Sequence, residues 1–178
     1  SSDLMSRITK QIQNLVMQMQ MVSLKPTFQK LSRIARDTIK DLGKDTDFRI
    51  IGEETEIDRE VADKLLDPLM HLVKNAISHG IESKEVRENL GKPLKGLVEL
   101  HAYSKRDSVY IEVRDDGSGI PIDKVYNKAL EKGIIDASKN YTDQEIINFI
   151  FLPGFSTAET INSISGRGVG MDAVRTQI

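Results

Sequence analysis

The chain has no cysteine, few aromatic residues (5%) and only five prolines among its 178 residues. Without cysteine it has no zinc cluster of the thiolate kind, and it fits any redox compartment. No H-E-x-x-H motif is present to hold a metalloprotease zinc, and no G-K-[ST] follows a glycine run as a Walker loop requires. The longest apolar stretches are broken by charges every few residues, and no secretory signal opens the chain, so nothing in it reads as a membrane span. The formal net charge of -2 argues against nucleic acid as a bulk partner.

Against these absences stand two glycine-rich turns, DDGSGI (Asp115 to Ile120) and GRGVGMD (Gly166 to Asp172). The first follows Val109, Ile111 and Val113, whose alternation predicts a half-buried strand. Asp116 then stands where the chain turns, and Gly117 and Gly119 leave room for a flat ligand at the backbone. An ionised carboxylate only accepts hydrogen bonds, so an exocyclic amino group such as adenine N6 suits it; an Asx turn capping the helix near Pro121 is the structural alternative. In the second turn, Gly166, Gly168 and Gly170 precede a helical start at Met171 to Val174. Such a helix start offers unpaired N–H groups to phosphate, with Arg167 as an added donor; a plain mobile loop is the alternative.

A third element, HLVKNAISHG (His71 to Gly80), lies in the helical pattern Leu65, Leu66, Leu69, Leu72, Val73, Ala76, Ile77. His71, Asn75 and His79 are spaced by four, a polar stripe along one side of that helix. A lone amide such as Asn75 suits magnesium, which takes most of its oxygens from water and phosphate. The alternative is a polar stripe satisfied beneath a loop.

The remaining pattern predicts an α+β fold, a sheet covered on one face by helices. Leu4, Ile8, Ile12, Leu15, Met19 and Val22 form a heptad-like seam on a helix ending near Ser23, either one arm of a partner-binding hairpin or a core-packing helix. A helix is expected from Pro26 to Leu42, burying Phe28, Leu31, Ile34, Ala35 and Ile39, with Gly43 past its end. Phe48 to Ile51 reads as a short strand. Asp58 caps a long helix that Pro68 should break or kink before His71. Strands Leu97 to Tyr103 and Val109 to Arg114 form an antiparallel pair across a charged turn at Lys105 to Asp107. A helix near Ile122 to Lys132 ends at Gly133, and Thr142 with Glu145 makes a capping box for a helix through Ile150.

The succession HxxxNxxxHG, DDGxGI, NFIFLPGFST (Asn148 to Thr157) and GRGVGMD resembles the kinase domain of chemotaxis histidine kinases of the CheA type. These belong to the ATPase superfamily shared with gyrase, the heat-shock chaperone and MutL. The resemblance runs from about Lys25 to the end, and a His at position 71, where the superfamily usually has Glu, is a mark of the chemotaxis subfamily. It implies a two-layer Bergerat-type fold with a mixed, mainly antiparallel sheet, cofactors ATP and Mg²⁺, and transfer of the γ-phosphate to a histidine on a separate phosphoacceptor domain.

By that resemblance Asn75 is the magnesium ligand, Asp116 recognises the adenine amino group, and His71 and His79 are polar residues beside the phosphates, His71 orienting the acceptor. Lys124 reaches toward phosphate, while Gly117, Gly119 and Ile120 shape the first turn. Ser156 and Thr157 hinge a lid, and Gly166, Arg167, Gly168, Val169, Gly170 and Met171 close over the phosphates. Ser78, Lys74 and Ala158 depart from the residues commonly found there (Asp, Arg and Lys); Lys74 keeps the charge without the bidentate fork.

The resemblance makes residues 1–24 the end of a helical dimerisation hairpin or a linker helix, and 25–178 an ATP-binding domain lacking its last strands. It further implies a homodimer in the cytoplasm, working with chemoreceptors and a coupling protein through neighbouring domains and with a response regulator downstream. Two other classes remain open on the residues alone: a nucleotide-binding regulatory module without turnover, and a structural signalling dimer built on the N-terminal helix.

Overall fold

The computed structural model describes residues 2–152 and Phe155, in two compact units, 1–116 and 117–178. The first unit opens with α1 (Ser2–Met19), which buries none of its residues. Leu4, Ile8, Ile12, Leu15 and Met19 remain exposed along it, so the core-packing alternative is not what this helix does. It also stops earlier than expected. Met21–Ser23 forms a short strand, β1, paired antiparallel with β3 (Glu56–Asp58), a ribbon whose three-residue arms are too short to show an alternation in the sequence.

Helix α2 (Lys25–Leu42) has Pro26 in its first turn and Gly43 at its end, with Phe28, Leu31, Ser32 and Ala35 as its buried stripe. Ile34 and Ile39 are only half-buried. Gly43 takes φ +63°, a left-handed value that closes the helix by donating its N–H to the Lys40 carbonyl. A three-stranded sheet follows in the order β2 (Thr46–Ile51), β4 (Gly96–Lys105), β5 (Ser108–Asp115). β2 runs parallel to β4, with Thr46 opposite Gly96; β4 and β5 are antiparallel, with Val98 opposite Asp115 and Lys105 opposite Ser108. This sheet is mixed, with one parallel and one antiparallel pairing, and the β1–β3 ribbon is a separate antiparallel pair; helices on one face agree with the α+β expectation.

Side-chain alternation decides which face of the sheet is covered. Gly96, Val98, Leu100 and Ala102 are buried, while Leu97, Glu99, His101 and Tyr103 between them are only half-buried. Against the covered face pack α2 and α3 (Arg59–Asn75), in one core of Leu24, Phe28, Leu31, Leu65, Leu69 and Leu100 and another of Ala35, Val73, Ala76, Ile77, Ile81 and Val98. Two glycines are required by this packing: a Cβ on Gly96 would stand 2.6 Å from Ile81 Cγ2, and one on Gly52 would stand 1.9 Å from the Ala102 carbonyl oxygen.

α3 starts as expected, with Asp58 accepting from the Glu60 N–H, but it does not break at Pro68. Pro68 is buried inside an unbroken helix, so its packing outweighs the lost backbone bond. A π-turn (Ala76–Gly80) and a short helix α4 (Lys84–Asn89), neither expected from the sequence, follow it. The second unit contains α5 (Ile122–Glu131), α6 (Asp143–Asn148) and a 3₁₀ turn (Phe149–Phe151). Its core is Val125, Ala129, Ile135, Ile146 and Phe155, and the capping box of Thr142 and Glu145 is formed in both directions.

Candidate functional site

The stripe of α3 that buries Ala62, Leu65, Leu69 and Val73 leaves His71 and Asn75 off the core face, both half-buried. His71 has its pKa lowered from the ordinary histidine value of 6.5, first by burial and then by the positive charge of Lys74. Its ring is therefore neutral near pH 7, able to accept a proton or a hydrogen bond. Asn75 is the last residue of α3, and among the described residues its amide has no hydrogen-bond partner.

Beyond Asn75 the helix widens into the π-turn, where the Ile81 N–H donates to the Ala76 carbonyl five residues back at 3.0 Å. His79 is exposed in this turn. Ser78, where the chemotaxis family commonly has Asp, donates its hydroxyl to the Lys74 carbonyl at 2.6 Å, so its oxygen serves the helix itself.

The strand end facing this turn is set by parity. Val109, Ile111 and Val113 of β5 pack toward the helices, and a period of two sends Asp115 to that same face. The geometry agrees: a Cβ built on Gly80 would lie 3.1 to 3.4 Å from the carboxyl atoms of Asp115. Asp115 thus lies against the glycine that follows His79, and a side chain there would press on its carboxylate.

Asp116 belongs to the other parity, and its carboxylate is engaged elsewhere. Oδ2 accepts from Arg87 Nη2 at 2.9 Å and Oδ1 accepts from the Leu97 N–H at 2.9 Å. Its carbonyl accepts from Lys92 Nζ at 3.1 Å, and its own N–H donates to the Leu97 carbonyl at 3.1 Å. The expectation that Asp116 turns its carboxylate toward a ligand departs from this arrangement, in which Asp116 anchors the strand end.

Its partner Arg87 is the largest fully buried side chain of the described residues, 1% exposed. Besides Asp116, the guanidinium donates through Nε to the Pro93 carbonyl at 2.6 Å and through Nη1 to Glu82 Oε2 at 2.9 Å. Lys92 donates to the other oxygen of Glu82. Burial by itself pushes the Glu82 carboxyl up and the Arg87 guanidinium down. The hydrogen bonds overcome this, so Glu82 lies below the usual carboxylate range and Arg87 above its usual value. Arg87 and Glu82 are the buried members, and removing either strands the other, at a cost of about 3 to 5 kcal/mol. Nothing in a six-residue helix announced this network; the signal available was a lone Arg among the polar residues of Lys84 to Asn89.

In the second unit, Gly117 is half-buried and Gly119 takes φ +73° with open space where a Cβ would stand. Ile120 and Lys124 are exposed, Lys124 in the first turn of α5. Ser156, Thr157, Gly166, Arg167, Gly168, Val169, Gly170 and Met171 lie outside the described residues. The structure thus brings the turn that carries His79 and Gly80 to the Asp115–Asp116 strand end within the first unit, with Asp115 as the carboxylate on the helix side.

Residues 62–178 match the family described as histidine kinase-, DNA gyrase B-, and HSP90-like ATPase. The chain is 44% identical over its whole length to the chemotaxis protein CheA of Treponema pallidum and 46% identical over 98% of its length to that of Bacillus subtilis. To the sensor histidine kinase CheAY of Helicobacter pylori it is 42% identical over 97% of its length. It spans 22%, 26% and 22% of those three proteins. With the family match covering well over half of the chain, the chain belongs to the histidine kinase-, DNA gyrase B-, and HSP90-like ATPase family.

Proposed function

We propose that this chain is the ATP-binding catalytic domain of a chemotaxis histidine kinase, transferring the γ-phosphate of ATP to a histidine on a separate phosphoacceptor domain. The observation that carries this reading is the contact of Asp115 with Gly80, because it joins the strand-end carboxylate to the HxxxNxxxHG helix end. In this reading Asp115, not Asp116, accepts the hydrogen bond from the adenine amino group. Asp116, held by Arg87 and the Leu97 N–H, fixes the strand end that presents it.

Among the described residues no three His, Asp or Glu side chains gather to cage a metal. A half-buried Asn75 amide without a protein partner fits magnesium, which needs one protein oxygen beside water and phosphate. The ion, bound with the nucleotide, neutralises phosphate charge. The protein's own part is mostly positioning. His71, neutral because burial and Lys74 disfavour its charged form, orients the acceptor imidazole or takes its N–H proton. That acceptor already carries a lone pair, so no strong base is required. His79 stands beside the phosphates, and Lys124 supplies a cation to them. The turn of Gly117, Gly119 and Ile120 shapes the pocket wall, and the segments Ser156 to Thr157 and Gly166 to Met171 close over the nucleotide.

The exposed apolar seam of α1 supports residues 1–24 as one arm of a dimerisation hairpin, making the whole protein a homodimer. Chemoreceptors, a coupling protein and a response regulator are its partners in this reading, and the cytoplasm its location; no helix among the described residues is long and apolar enough to cross a membrane. Phosphotransfer from labelled ATP to a histidine phosphoacceptor domain tests the proposal. His71→Ala should lower transfer far more than ATP affinity, and equal losses in both would remove His71 from the chemistry.

A further inference from the structure

The π-turn that ends α3 is held from outside by a single cation. Lys44 Nζ donates to the carbonyls of Ile77 and Ser78, each at 2.8 Å, and of Ile81 at 2.6 Å. An ammonium has three N–H donors, so this head is saturated by one turn of backbone. The root of the side chain is equally fixed: the Lys44 N–H donates to the Ile39 carbonyl at 3.2 Å, in the left-handed closure that Gly43 makes at the end of α2. Two helix ends, remote in sequence, therefore meet at one lysine, and the negative end of the α3 dipole is where a cation is favoured.

The three carbonyls bracket His79 and Gly80. A π-turn is a rare state, found mostly as a single-turn bulge at functional positions. An α register there would turn the residues beyond it by about 100°, one residue's step on an α-helix, and carry Gly80 away from Asp115.

We infer that Lys44 is a positioning residue of the nucleotide site, holding the turn at Ala76–Gly80 in its π register so that Gly80 stays against Asp115 and His79 keeps its place beside it. The inference rests on the nucleotide reading for its consequence but not for the hold on the turn, and the two are separable by experiment. Lys44 is half-buried, so water reaches the released carbonyls and Lys44→Met is expected to fold.

In the full-length protein, three quantities are compared between wild type, Lys44→Met and Lys44→Arg: amide exchange without nucleotide, the imidazole NMR signals of His79 and His101, and Mg-ATP affinity by calorimetry. In Lys44→Met the Ile81 amide should exchange faster and ATP should bind more weakly, each by about tenfold, the worth of one charge-assisted hydrogen bond. The His79 signals should move while those of His101 stay, and the α2 and β4 amides should keep their protection. Lys44→Arg, which keeps charge and donors but not the compact head, should recover part of each effect.

Unchanged Ile81 exchange and unchanged affinity in folded Lys44→Met would overturn the inference, as would a loss of protection spread evenly over α2 and β4. Faster Ile81 exchange in a protein whose wild type binds no nucleotide would uphold the hold on the turn and overturn its consequence for a nucleotide site.

Discussion

Asp115 and Asp116 are neighbours of identical chemistry, and the two-residue period of a strand separates their roles. One lies on the helix side against Gly80, and the other is tied to Arg87 and the Leu97 N–H. The motif in the sequence shows that a carboxylate is delivered at the strand end but does not say which of the two. Counting back to Val109, Ile111 and Val113 does, because the apolar parity continues to 115. Arg87→Met should then cost about 3 to 5 kcal/mol of stability by urea unfolding, since it strands the carboxylates of Glu82 and Asp116; a cost below about 1 kcal/mol, the worth of an exposed pair, would mean that water already reaches the network.

His71 gives a second residue-scale expectation. Its folded-state pKa lies below the ordinary 6.5, so the unfolded chain binds the proton more readily. Stability is accordingly lost as pH falls through about 6.5 and is indifferent to pH above that window. Comparing urea midpoints at about pH 7.5 and 5.5, His71→Gln should show a smaller drop than wild type. Equal drops would show that burial of His71 does not govern its protonation.

At the scale of elements, the sequence was most legible where a local rule acted alone. The cap at Asp58, the glycine after Leu42, the capping box of Thr142 and Glu145, and the alternation of β4 and β5 are all local, and all are present. Of the break or kink expected at Pro68, the break does not occur, because helix breaking is a local tendency while burial among packed elements is not. The β1–β3 ribbon, α4 and the π-turn were invisible for the same reason: each is stabilised by distant partners such as Thr55, Asp116 or Lys44.

Glycine substitutions separate conformation from space. Gly43→Ala faces only the left-handed penalty of about 1 to 2 kcal/mol, since nothing lies within 4 Å of the new Cβ. Gly52→Ala adds a collision with the Ala102 backbone and should cost clearly more by thermal unfolding. Similar costs would mean that the β2–β3 connection shifts to make room.

At the scale of the whole molecule, unit 1–116 holds His71, Asn75, His79, Asp115 and Asp116 on a mixed sheet with one covered face, whereas Ser156, Thr157 and the glycine-rich turn from Gly166 lie outside the described residues. Family membership was legible from four short motifs. The approach of Asp115 to Gly80 was not, because it depends on which side of the sheet each residue takes.

The most direct measurement is a calorimetric titration with ATP, with and without Mg²⁺, of wild type, Asp115→Ala and Asp116→Ala, each first shown to be folded. Magnesium-dependent binding should weaken by roughly tenfold to a hundredfold in Asp115→Ala, corresponding to about 1.5 to 3 kcal/mol for a hydrogen bond to a charged group. Asp116→Ala should instead lose mainly stability. Full ATP affinity in Asp115→Ala, with the loss appearing in Asp116→Ala, would contradict the account.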